Sequence, residues 1–166
     1  MIVFVFPGVD KSSIADRNDI VSLDGSNYSK DTNDWYLTYC KDAEALSDQG
    51  KIVLLTPYEQ VLDYFVREDI YNLYTVYPHL SILDEWLNKF DYTQFLGEME
   101  PNQTNINAIK EILKSDFTKK IQLLNYYDKN DVFTDMRILP STEHFLERII
   151  EIFEERERYY EALEND

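Results

Sequence analysis

Lys11 and Ser12 offer the clearest chemistry in the chain. They follow an apolar run, Met1-Ile-Val-Phe-Val-Phe6, which breaks at Pro7-Gly8 and resumes as Val9-Asp10-Lys11-Ser12-Ser13. A strand, a sharp turn and a helix opening with Lys-Ser is the layout of a phosphate-binding loop, whose successive backbone N–H groups curl around an anion. In the spacing G-x-x-x-x-G-K-[ST], Lys11 and Ser12 fit, whereas the two glycines fall on Val5 and Asp10. Gly8 keeps one flexible position in the turn, and Val9 contributes an ordinary N–H. Asp10 puts a negative charge where the backbone would have to approach phosphate, a like-charge contact that costs several kcal/mol when desolvated. Its carboxylate could instead cap the following helix or pair with Lys11, filling the pocket from within. The loop Gly8-Val9-Asp10-Lys11-Ser12-Ser13 therefore reads either as a residual nucleotide site or as a relic that joins strand to helix.

Other chemistries have less support. His79 and His144 are isolated, with no companion at metal-ligand spacing, and the single Cys40 belongs to no Cys-His or Ser-His-Asp arrangement. Cys40 reads as a buried helix residue. Asp24-Gly25 has the composition of a turn. The 13 tyrosines and 9 phenylalanines lack interleaved basic residues, so a nucleic-acid stacking platform is not expected.

Charge points the same way. Sixteen Lys and Arg against 32 Asp and Glu leave a net charge of −16, which repels nucleic-acid backbones and anionic membranes. An acidic surface can still meet a basic protein. At 166 residues the expectation is one domain, with a core over 1–127 and a C-terminal helix over 141–163. With one cysteine, and an apolar opening too short to span a bilayer, the expected location is the cytoplasm.

The elements alternate. Ile2 to Phe6 reads as a strand buried on both faces, Asp10 to Arg17 as the first turns of a helix, and Ile20 to Leu23 as a second strand. Asp34 to Gln49 is helical, closed by Gly50, and Lys51 to Leu55 is a third strand. Thr56-Pro-Tyr-Glu59 reads as an N-cap, N1 proline and capping-box glutamate for a helix to Arg67 with Val61, Leu62, Phe65 and Val66 inward. Leu73 to Tyr77 is a fourth strand, with Tyr71, Tyr74 and Tyr77 on one face. Ser81 and Asp84 suggest the cap of a helix carrying Ile82, Leu83, Trp86, Leu87 and Phe90. Gly97 to Asn107 reads as a loop or lid, Ala108 to Leu113 as helix and Lys120 to Leu124 as a fifth strand, although a helical reading of that run is nearly as good. Asp128 to Asp131 reads as a loop, and Ser141 to Leu163 as an amphipathic helix with Phe145, Ile149, Ile152 and Phe153 inward. The sum is a doubly wound, mainly parallel five-stranded α/β sheet flanked by helices.

The succession Phe6-Pro-Gly-Val-Asp-Lys-Ser12, Leu23-Asp-Gly-Ser-Asn27, Trp35-Tyr36, Gly50-Lys-Ile-Val-Leu-Leu-Thr56, Val76-Tyr-Pro78 and Glu85-Trp86 resembles the small P-loop nucleoside-monophosphate-kinase-like proteins of bacteriophages and their hosts. The resemblance covers about the first ninety residues. It implies ATP and Mg²⁺ as cofactors, Lys11 on the phosphates and Ser12 on the metal. It also implies a catalytic role for Asp24, beside a substrate hydroxyl or a metal-bound water. Such kinases bring several arginines to the transferred phosphate, yet between Pro57 and Ala108 the only Lys or Arg residues are Arg67 and Lys89. Arg137 is the one late candidate to reach the site. Two functions are expected from this: a degenerate nucleotide-binding protein without efficient phosphoryl transfer, or a non-catalytic acidic protein that binds a basic partner, as a phage inhibitor of a host nucleic-acid enzyme would.

Overall fold

Strands β1 (Ile2–Val5), β2 (Ile20–Ser22), β3 (Ile52–Leu55), β4 (Leu73–Pro78) and β5 (Asp135–Leu139) form one sheet in the order β2-β3-β1-β4-β5, each neighbouring pair parallel. The computed structural model describes residues 1–70 and 72–165. The three central strands are buried at every position, which is why their sequences show no polar alternation; the one polar side chain, Thr75 of β4, donates to Phe4 O at 3.2 Å. The edge strands β2 and β5 are only partly covered and tolerate Ser22, Asp135 and Arg137.

Helices α1 (Trp35–Asp48), α2 (Glu59–Arg67), α3 (Leu83–Asn88), α4 (Gln103–Lys129) and α5 (Leu146–Glu164) cover both faces. On one face Phe4 meets Phe65 of α2 at 5.8 Å, and Phe6 meets Phe117 of α4 at 5.1 Å. On the other, Tyr74 lies 4.8 Å from Phe153 of α5. The α/β, doubly wound parallel architecture with a long C-terminal helix is thus present, consistent with a P-loop-like fold. Tyr39 of α1 ties two strand ends together, its hydroxyl donating to Leu23 O at 3.0 Å and accepting from Thr56 N at 3.1 Å. Cys40, beside it, is fully buried. Arg17 joins Asp19 to Glu154 of α5 across the β1–β2 connection.

Several expectations are corrected. No α-helix follows β1; the connection holds a single 3-10 turn, Ser12–Ile14, before the chain enters β2. Thr56 does not cap α2, because the chain is still extended at Tyr58 and the helix opens only at Glu59 without a side-chain cap; the Thr56 N–H goes instead to the Tyr39 hydroxyl. Val66 is 41% exposed, at the outer face of α2. Tyr74 and Tyr77 lie on opposite faces, Tyr77 donating to Asn125 of α4 at 2.6 Å, as alternation along a strand requires. Tyr71 lies outside the described residues.

Lys120 to Leu124 is not a strand but the interior of the 27-residue α4, where Phe117, Ile121, Leu124 and Tyr127 form one buried stripe. The same helix runs through Asp128 and Lys129, so the expected loop there shrinks to a turn, and the fifth strand is Asp135–Leu139. Ser81 does not cap α3; the His79 ring accepts the Ser81 N–H at 3.1 Å and opens a 3-10 turn instead. The expected lid is partly helix, since α4 begins at Gln103, and partly packed, with Ile106 against the cluster of Tyr92, Leu96 and Ile109. Helix α5 starts at Leu146, leaving Phe145 75% exposed ahead of it. Among the described residues, no helix is long and apolar enough to cross a membrane.

Candidate functional site

The carboxyl end of the central strand β1 is where a ligand would sit in an open parallel sheet, because neighbouring connections leave there in opposite directions. The chain turns immediately after β1, with Val9 N–H donating to Phe6 O at 3.2 Å. Gly8 adopts φ +89°, and a Cβ there would fall 2.6 Å from the Phe90 ring and 2.9 Å from Trp86 Nε1. Only glycine meets both demands. Trp86 Nε1 donates to Pro7 O at 2.9 Å, so α3 is fastened across the turn. A cavity of about 290 Å³ lies beside Gly8, lined by Trp86, Lys89, Phe90 and Gln94.

The amides that would cradle an anion are engaged by the protein itself. Asp10 N–H donates to His144 Nε2 at 2.9 Å, and the Asp10 carboxylate accepts the Ser12 N–H at 2.9 Å. Hydrogen bonds from Ser12, with smaller contributions from His144 and Lys89, hold the Asp10 carboxyl below the usual range. The His144 ring stacks on Trp86 with centroids 5.6 Å apart, and burial lowers its basicity, as its acceptor role at Nε2 requires. Ser13 faces elsewhere: its Oγ accepts the Glu147 N–H at 3.1 Å and so caps the start of α5. Lys89 Nζ donates to Thr142 O at 3.3 Å, closing the same late loop over the turn.

Lys11 extends away from the turn toward the end of β2, where its Nζ donates to Ser22 Oγ at 2.8 Å. Burial lowers its pKa, partly opposed by the charge of Asp24. Asp24 accepts the Ser26 N–H at 2.9 Å, and this bond, followed by the charges of Lys11 and Lys30, holds its carboxyl down. Lys11 and Asp24 are thus brought together, apart from the amides of the turn. Arg137 lies mid-strand in β5, in register with Val76 rather than at the strand's end.

These residues do not fit a magnesium nucleotide. The Asp10 and Ser12 amides point at internal acceptors, the Ser12 hydroxyl is held against the Asp10 carboxylate, and the segment that follows the loop is a 3-10 turn rather than an α-helix with its positive end at the anion site. Among the described residues, no three His, Cys, Asp or Glu side chains are grouped to hold a metal ion.

No known protein family, curated protein or solved structure matches this chain.

Sequence reasoning missed two contributors. His144 is 134 residues from Asp10, and nothing local marks the pairing. Lys30 approaches the Trp35 and Tyr58 rings, a contact made only when the α1 and α2 entrances converge on the end of β3.

Proposed function

We propose that this protein is a non-catalytic, acidic interaction protein built on a P-loop kinase-like sheet, whose partner is a basic protein. The observation that carries this reading is the internal closure of the phosphate turn, with the Asp10 carboxylate on the Ser12 amide and His144 on the Asp10 amide. A loop closed in this way serves as a joint between β1, α3 and α5. Binding then falls to the surface, where a net charge of −16 favours basic partners and accelerates their encounter. A phage inhibitor of a host nucleic-acid enzyme is one protein that would use such a surface.

A second reading keeps weak nucleotide binding. It is favoured by Lys11, whose ammonium lies at the end of β2 within reach of the charge of Asp24, and by the aromatic cavity beside Gly8.

Thermal shift separates the two. Mg-ATP and the common nucleoside monophosphates are expected to leave the melting temperature unchanged. Binding to a basic protein is expected to weaken steeply between roughly 50 and 300 mM salt and to survive Lys11→Ala. A nucleotide-dependent rise in melting temperature that Lys11→Ala abolishes would overturn the first reading in favour of the second.

A further inference from the structure

The rings of Trp35, at the start of α1, and Tyr58, at the entrance to α2, meet at 89° with centroids 5.2 Å apart. In the corner between them sits the Lys30 ammonium, 4.8 Å from the Trp35 centroid and 4.5 Å from that of Tyr58. Both walls are buttressed. Trp35 packs edge-on against Tyr36 at 6.5 Å and at a tilt of 46° against Tyr39 at 6.0 Å, and Tyr58 lies so close to Gly25 that a Cβ there would fall 2.6 Å from its hydroxyl. Asp24 is near enough for Lys30 to lower its carboxyl pKa. Two π faces at right angles with a carboxylate beside them form a receptor for an ammonium group, since each ring face is negative and the acid supplies the counter-charge.

Lys30 is exposed and, among the described residues, makes no hydrogen bond or ion pair, so the two rings and the nearby charge of Asp24 are what hold its ammonium. We propose that this corner is an aromatic cage for a lysine side chain of a basic protein partner, and that Lys30 is a resident occupant which the partner's lysine displaces. The proposal rests on the interaction-protein reading above and deepens it by naming where a cation docks. Charge complementarity selects the occupant, because Asp24 lies beside the corner, and Asp31 and Asp34 adjoin Lys30 and Trp35 in sequence, in a chain of net charge −16. An anionic ligand would meet two negative ring faces there. A tethered occupant competes at a millimolar effective concentration, so the cage binds an isolated lysine weakly until Lys30 is removed.

The test is a fluorescence titration of the full chain with N-acetyl-lysine methylamide and its Nε-trimethylated form. Trp35 reports on the corner, whereas Trp86, only 2% exposed, serves as an internal reference. Lys30→Ala is expected to bind both probes roughly 5- to 10-fold more tightly than the wild type. Adding Tyr58→Leu to Lys30→Ala should remove that gain, and Lys41→Ala, which removes an exposed charge near Trp35, should leave affinity unchanged within about twofold. No Trp35 response in Lys30→Ala, or an equal gain from Lys41→Ala, overturns the cage. A parallel titration with a basic protein keeps the two ideas separate: salt-sensitive binding unaltered by Tyr58→Leu defeats the cage alone, and the absence of salt-sensitive binding by the wild type defeats the broader reading.

Discussion

At the scale of single residues, the turn after β1 depends on two groups with opposite legibility. Gly8 is marked in the sequence by Pro7-Gly8, and its φ of +89° against Phe90 explains why no other residue serves. Gly8→Ala is expected to destabilise the fold by about 1–2 kcal/mol from backbone conformation alone, with the ring clash added. In a double-mutant cycle read by denaturant melts, Phe90→Leu should recover part of the loss, and strict additivity would show that the clash is absent. His144 carries no such mark, because the fold alone brings its ring to Asp10. Its pKa is depressed by burial, so the unfolded chain binds the proton first, and stability present above the ordinary histidine value near 6.5 is lost as pH falls below it. Asp10 opposes that depression and Lys89 adds to it. The melting temperature should fall between pH 7 and pH 5, and His144→Gln, whose amide oxygen accepts without titrating, should flatten that slope. An unchanged slope in the variant would assign the pH dependence to other groups.

At the scale of elements, the apolar centres were legible and the edges were not. β1 and β3 announce themselves as unbroken apolar runs, and β4 as a run broken only by the buried Thr75, because helices cover both of their faces. β5 was missed because an edge strand half in solvent can carry Asp135 and Arg137. Lys120 to Leu124 is too short for its period to decide between strand and helix, and the decision comes from Phe117 and Tyr127 beyond its ends. Gln122, exposed in the middle of α4, is therefore a sharp probe. Gln122→Pro should cost about 3 kcal/mol or more by breaking the helix ladder, with a measurable loss of helical circular dichroism. A full-strength helical signal at unchanged stability would contradict the continuous α4. The Thr56 cap failed because the chain stays extended through Tyr58 and α2 begins only at Glu59, too far along for Thr56 to be its N-cap, while the Thr56 amide is used in the tertiary contact with Tyr39.

For the whole molecule, the order of strands and helices was enough to give the doubly wound class, whereas the candidate site was only half readable. Lys11 and Ser12 were identified by spacing, but the helix that would give them purpose is replaced by the 3-10 turn Ser12–Ile14, and a short run of residues does not show where it will stop being helical. Charge acts at this scale too. With a net charge of −16, self-repulsion opposes the compact state, so the melting temperature should rise between roughly 10 and 300 mM NaCl as screening increases. A fall over that range would mean that attractive pairs such as Arg17 with Asp19 and Glu154 outweigh the repulsion.

Cys40, the only cysteine, has a kinetic consequence. Its thiol is fully buried in α1, and burial pushes its pKa up to about 12, so the reactive thiolate is absent from the native state at neutral pH. Labelling by a thiol reagent must then wait for the core to open, and in the limit of fast chemistry its rate becomes the rate of that opening. The chain thus carries its own clock for unfolding, one that any true ligand or partner would slow.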